Sequence, residues 1–296
     1  MHVPLSWHHA RMPLLLMDLD NTLLPRDAAF RAWAQDFLAE HALPVEDLDW
    51  VATLDGSGYV PRATVLGAMR RRYGLDASLD SLLAHYRRGI NAHIHCPASH
   101  VAALRAARSS GWTLCIVSNG GTLPQLDKIR RTGLAALVDA WVISEEARCA
   151  KPDPQIFQIA AHRCGVPTTG DWSAEAWMVG DHAPADIAGA TVSGLHSVWL
   201  HHGRPWPELG YRPTLCASDL PEAVAMVLSA SPSAADARPV PPARTRFATP
   251  LLPPPHVPPS YTGQPHMAQS HMPQPHMPQP LRGRPPVYRP ASAGAA

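Results

Sequence analysis

The sequence predicts an α/β protein built on a doubly wound parallel sheet, with an all-helical insertion after the first strand and a disordered C-terminal tail. Three observations carry this. Short, continuous apolar runs alternate with helical spacing through residues 113–228, as in a parallel sheet covered on both faces. The stretch from about Pro25 to His95 has helical spacing throughout and no convincing strand. From Ser231 onward the chain is proline-dense, with 18 prolines and the five-residue echo Gln264-Pro-His-Met-Ala, Gln269-Ser-His-Met-Pro, Gln274-Pro-His-Met-Pro.

Each element follows from its residues. The strands read as Leu14–Met17, Thr113–Val117, Leu137–Ile143, Ala176–Val179 and His196–Leu200, and the helices among them as Leu123–Thr132, Pro154–Cys164, Ala183–Ser193 and Leu220–Leu228. In the insertion, helices are expected over Asp27–His41, Glu46–Leu54, Pro61–Tyr73 and Ser78–Ile94. Asp27 and Ser78 serve as N-caps, and Pro61 suits a first turn. The domain boundaries are accordingly 12–24 and 96–230 for the α/β core, 25–95 for the helical insertion and 231–296 for the tail. Proline at the tail's density removes backbone donors, and its apolar content is too low to offset ordering entropy. Its His-Met repeats could bind a soft metal, but low-complexity drift explains them as well. Residues 1–11 read as an extension, with Met12 as an alternative start.

Composition narrows the function classes. The formal net charge is +1, so no global basic field points to nucleic acid as a stable partner. No apolar run approaches the length of a membrane span, and Leu14–Met17 runs straight into Asp18 and Asp20 where a signal peptide would need small residues. The five cysteines, Cys96, Cys115, Cys149, Cys164 and Cys216, are odd in number and scattered without a CxxC pair. They read as reduced thiols of a cytoplasmic protein, expected to be a monomer or weak dimer.

Four clusters at strand ends carry the chemistry. Asp18 and Asp20 lie two apart, so both carboxylates leave the first strand on the same side at its carboxyl end, where open α/β sheets bind ligands. Adjacent carboxylates need a shared proton or cation, and magnesium prefers such oxygen ligands; an ordinary strand-end turn is the plainer account of this pair taken alone. Ser118-Asn119-Gly120-Gly121 offers a hydroxyl and flexible backbone N–H groups for an anion, or is simply a turn. Lys151-Pro152-Asp153-Pro154 precedes a helix. The chain has 23 arginines but two lysines, Lys128 and Lys151, so a lysine retained here suggests a site needing a compact ammonium. Gly180-Asp181 closes the fourth strand and Asp186 begins the next helix, where a carboxylate also suits the helix dipole.

In order and placement these clusters resemble the four motifs of the haloacid dehalogenase superfamily over roughly residues 12–230, and the insertion resembles that superfamily's C1 cap. The resemblance implies a phosphoric monoester hydrolase acting on a small phosphorylated metabolite. Asp18 is implied as the nucleophile that becomes an aspartyl-phosphate, and Asp20 as general acid and base. Mg²⁺ is implied on Asp18, the backbone carbonyl of Asp20, and Asp181. Ser118, Asn119 and Lys151 are implied as phosphate ligands, with Asp186 positioning Lys151 or a metal-bound water. Dehalogenases of the superfamily lack the second acid at the Asp20 position. A phosphomutase of the β-phosphoglucomutase kind shares all four motifs, and a non-catalytic binder would be expected to have lost one. For the leaving group the sequence offers Tyr59, in the turn Asp55-Gly56-Ser57-Gly58-Tyr59, and Arg62; that turn faces either the site or solvent. His93-Ile94-His95-Cys96 and His201-His202 read as hinge and loop. Because the tail lies outside every motif, a chain ending near Ser231 is expected to keep its melting temperature and its turnover of an aryl phosphate; a tenfold loss of rate would show that the tail serves the site.

Overall fold

The computed structural model describes residues 13–230; the proline-rich tail and the first twelve residues lie outside them. Six strands form one parallel sheet: β1 (Leu14–Met17), β2 (Thr113–Ser118), β3 (Ala140–Ile143), β4 (Ala176–Gly180), β5 (His196–Leu200) and β6 (Leu215–Ala217). Their order is β3-β2-β1-β4-β5-β6. The chain builds outward from β1 on one side, then returns to start β4 on the other. β1 pairs in parallel with both, Leu14 opposite Thr113 and Ala176, and Met17 opposite Ile116 and Val179. Direction reverses between β1 and β4, which makes their carboxyl ends the switch point where such sheets bind ligands.

The strands are apolar on both faces because both faces are covered. Leu15 and Met17 enter one hydrophobic cluster while Leu14 and Leu16 enter another, and Trp177 and Val179 part from Ala176 and Met178 in the same way. This is the period-two alternation of a strand.

The first four of the five α-helices between β1 and β2 make up the insertion: α1 (Arg26–Glu40), α2 (Leu48–Asp55), α3 (Arg62–Tyr73) and α4 (Leu79–His93). They pack through rings. Trp33 of α1 meets Tyr86 of α4 edge-on at 5.0 Å, and Phe30 and Phe37 flank it at 5.3 and 5.5 Å. The remaining helices are α5 (Ala98–Ser109), α6 (Thr122–Arg131), the single turn α7 (Ser144–Ala147), α8 (Pro154–Arg163), α9 (Ala188–Val192) and α10 (Leu220–Ala230). Leu104 of α5, Ile129 of α6 and Val224 of α10 pack on the Leu15 face; Phe157 of α8 and Ala190 of α9 cover the Leu14 face. No helix among the described residues is long and apolar enough to cross a membrane.

Several boundaries differ from expectation. Asp27 is not the cap of α1, which starts one residue earlier. Instead Asn21 Oδ1 accepts the Asp27 backbone N–H at 2.9 Å, and Asn21 Nδ2 donates to Asp27 Oδ1 at 3.1 Å. Ser78 does cap α4, accepting from the Ser81 N–H at 3.1 Å. β3 starts at Ala140 rather than Leu137 because Gly133, with φ of +76°, opens a tight 3₁₀ turn over Leu134–Ala136. Helix α5 and strand β6 were not anticipated. One clash fixes how α4 lies on α1: a Cβ at Gly89 would overlap Trp33 Cδ1. Replacing a helical glycine by alanine ordinarily gains up to about 1 kcal/mol. Gly89→Ala is expected instead to lose about 1–3 kcal/mol to overpacking, read as a lower urea midpoint at unchanged slope.

Candidate active site

The carboxyl ends of β1 and β4 bring four charged side chains together below the surface. The Asp18 N–H donates to Val179 O at 3.0 Å, extending the ladder past the strand and fixing the residue's direction. Lys151 Nζ lies 2.6 Å from Asp18 Oδ1 and 2.7 Å from Asp186 Oδ1. All three side chains are buried. Lys151 is held from behind: Asn119 Oδ1 accepts the Lys151 N–H and Asn119 Nδ2 donates to the Lys151 carbonyl, both at 2.9 Å. The Lys151–Pro152 peptide is cis.

Asp186 sits in a widened π turn, Ala183–Ile187, that opens where β4 ends. Its Oδ2 accepts the His182 N–H at 3.0 Å, so the carboxylate folds back over the strand end. A Cβ at position 180 would overlap that carboxylate, which is why glycine stands there.

One oxygen from each of Asp18, Asp181 and Asp186 lies within 4.8 Å of the others. Asp181 Oδ1 is buried with no hydrogen-bond partner, an arrangement that ordinarily costs free energy unless a ligand completes it. Asp181 Oδ2 is 3.4 Å from Arg204 Nη2. Burial, reinforced by the charges of Asp18 and Asp186, pushes the Asp181 carboxyl up to about 8. Burial likewise pushes Asp18 up to about 7, with Lys151 opposing and Asp186 reinforcing. An all-oxygen set with excess negative charge and one orphaned carboxylate oxygen suits a hard divalent cation.

Asp20 is held differently. Lys128 Nζ approaches its Oδ1 at 2.7 Å and its Oδ2 at 2.6 Å. Gln125 Nε2 donates to Asp20 Oδ2 at 3.0 Å and to Ser118 Oγ at 2.8 Å. Burial would raise the Asp20 carboxyl, but the Lys128 charge and these hydrogen bonds outweigh it and hold the group below its usual range. Neither Lys128 nor Gln125 was singled out as a site residue from the sequence. The signal for Lys128 was present, since it is the other of the two lysines.

The turn at the end of α2 lies over this edge, with Tyr59 still 51% exposed. Tyr59 stacks on His182, centroids 3.9 Å apart and planes 20° from parallel. The turn is anchored by buried Asp55, which accepts the Gly58 N–H at 3.0 Å, pairs with both terminal nitrogens of Arg26, and also takes Arg62 Nη1. Arg62 lies 4.4 Å over the Tyr86 ring. Tyr59 and Arg62 thus share with Asp18, Asp20 and Lys151 the walls of a cleft of about 1100 Å³ between the helical insertion and the sheet edge. His93 pairs with Asp36 at 2.7 Å, and His202 bonds the Asn21 carbonyl at 2.7 Å, so neither histidine pair gathers a ligand set.

Known proteins resemble this chain in sequence and shape. The pyrimidine 5′-nucleotidase YjjG of Escherichia coli (strain K12) is 39% identical over 123 residues, covering 41% of this chain and 52% of that protein, so the chain spans about half the length of that relative. A glyceraldehyde 3-phosphate phosphatase of Methanopyrus kandleri is 30% identical over 205 residues, covering 64% of this chain and 84% of that protein. The crystal structure of the HAD-hydrolase YfnB from Bacillus subtilis, bound to magnesium, superposes with a TM-score of 0.62 at 22% identity, over 73% of this chain and 99% of that one. Residues 12–194, more than half of the chain, match the family described as haloacid dehalogenase-like hydrolase, and the chain belongs to that family.

Proposed function

We propose that this chain is a magnesium-dependent phosphatase of small phosphorylated metabolites, working through an aspartyl-phosphate on Asp18. The observation that carries the reading is the division between the two acids of β1. Asp18 is buried against Lys151, while the Asp20 side chain is 27% exposed at the cleft and held by a separate cation. A phosphate ester needs a nucleophile and a proton donor with different surroundings, whereas a halide leaves without a proton. The name of the glyceraldehyde 3-phosphate phosphatase among the relatives above supports the same choice.

In this reading Lys151 and Ser118 bind the transferring phosphoryl oxygens, and Asn119 serves them by fixing the Lys151 backbone. Oδ1 of Asp18 rests on Lys151, so Oδ2 is the oxygen that attacks phosphorus. The new P–O bond forms as the ester P–O bond breaks; Asp20, ionised in the free site, takes up a proton as the phosphate monoester binds and passes it to the departing oxygen. Asp20 then takes a proton from the water that cleaves the acyl phosphate. Asp18, Asp181 and the backbone carbonyl of Asp20 would hold Mg²⁺, which supplies positive charge that screens nucleophile and phosphate from one another. Asp186 positions Lys151. The helical insertion, residues 25–95, acts as a C1-type cap over the core of residues 12–24 and 96–230, with Tyr59 and Arg62 meeting the leaving group.

Two measurements test this. Activity on p-nitrophenyl phosphate is expected to vanish in EDTA and return with Mg²⁺, and full activity in metal-free buffer would sink the mechanism. Asp18→Asn is expected to reduce turnover of every ester to background. Asp20→Asn is expected to slow the first step by about 10²–10⁴ with an alkyl phosphate and much less with p-nitrophenyl phosphate, whose phenolate leaves unaided. Phosphoenzyme should then accumulate on the peptide carrying Asp18, seen by mass spectrometry. Equal slowing of both esters with no trapped acyl phosphate would remove Asp20 from the acid–base role.

A further inference from the structure

Lys128 and Gln125 stand three residues apart on α6 and therefore share one helix face. Both reach Asp20, and Gln125 also reaches Ser118, so one face of α6 ties the ends of β1 and β2 together. Lys128 is 8% exposed and Gln125 4%, which is far more buried than a solvated lysine or glutamine. Among 23 arginines the chain keeps two lysines, and each is bound to one acid of β1, Lys151 to Asp18 and Lys128 to Asp20. A planar guanidinium presents its donors as a fork, whereas a single ammonium can sit astride both oxygens of one carboxylate, which is the contact seen here.

The two oxygens of Asp20 are not equivalent. A carboxylate oxygen has two lone pairs. Oδ2 receives Lys128 and Gln125, which use both; Oδ1 receives Lys128 alone and keeps one lone pair free. We infer that Lys128, with Gln125, is a positioning residue for Asp20: it locks the carboxylate so that Oδ1 is the oxygen that serves the leaving group and the hydrolytic water. Lys128 acts through Asp20 and does not itself touch the ester. The inference rests on the phosphatase reading above and adds to it a residue outside the four motifs.

Its signature is kinetic. Lys128→Gln keeps length and polarity but removes the charge and the contact astride both oxygens. It is expected to lower kcat/KM, which reports phosphoryl transfer to Asp18, about tenfold or more on the alkyl ester β-glycerol phosphate, with KM within about twofold, and by no more than about threefold on p-nitrophenyl phosphate. Lys128→Arg, which keeps the charge but replaces the single ammonium astride both oxygens with a fork, should recover only part of the loss. In an Asp20→Asn background Lys128→Gln should cost nothing further, because the group it positions is gone. A raised KM, equal losses on the two esters, or a further loss in the Asp20→Asn background would overturn the inference. Should Lys128→Gln melt well below the wild-type protein, Gln125→Met removes the other donor to Asp20 and must show the same leaving-group bias; its absence overturns the inference too. The two readings fail separately. If the wild-type chain with Mg²⁺ hydrolyses neither ester, the phosphatase reading falls and takes this one with it. If wild type is active, Asp18→Asn is dead and Lys128→Gln is silent, only the positioning role is lost.

Discussion

The Lys151 ammonium between Asp18 and Asp186 is the interaction on which the rest of this structure depends. Removing one partner of a buried ion pair leaves an uncompensated charge and is strongly destabilising, on the order of 3–5 kcal/mol. Here one buried lysine faces two buried carboxylates, with a third, Asp181, close by. Around it the backbone is committed to holding charges in place. Asn119 clamps the Lys151 main chain, the His182 N–H takes one oxygen of Asp186, and the Asp18 N–H is tied into β4. Each is a main-chain contact that does not depend on solvent, so the cluster stays ordered while its net charge leaves room for a cation.

The sheet order explains why such a cluster can exist. Parallel strands end together, and the reversal between β1 and β4 opens a crevice at the point where Asp18 and Asp181 emerge. The helical insertion grows from the same point. Arg26, six residues after Asp20, grips Asp55, and Asp55 in turn holds the turn that delivers Tyr59 onto His182. The acid-bearing strand, the start of the insertion and the turn that overhangs the cleft are therefore one continuous polar chain of contacts rather than three separate parts.

What could be read from the sequence was what is local. An apolar run ending in Asp18-Leu19-Asp20, a Gly-Asp after another such run, and helical spacing between them are patterns of neighbouring residues, and they gave the parallel sheet and its acidic edge. Helix α5 escaped because its Ala98–Ser109 sequence, rich in alanine with few large apolar residues, has little periodic contrast, and β6 escaped because a run of three residues is too short to carry a period. The capping of α1 was misread for a different reason: the oxygen that serves it belongs to Asn21, in the preceding turn, not to the residue at the helix start. Lys128 is the instructive case. Composition marked both lysines as unusual, yet only Lys151 stood beside a proline and a helix start; the contact that gives Lys128 its place spans 108 residues and exists only once α6 has docked.

Gly180 carries a constraint of another kind. Because a single carbon at this position would occupy the space of the Asp186 carboxylate, there is no smaller residue from which to approach a side chain by degrees; alanine is already the least increment available. Most positions drift through sequence space in steps that neighbours absorb one at a time. This one is a threshold, and any lineage that crosses it must rebuild the strand-to-helix turn in the same event or abandon the charged cluster beneath it. The absence of an atom is, in that sense, the most tightly specified part of the β4 edge.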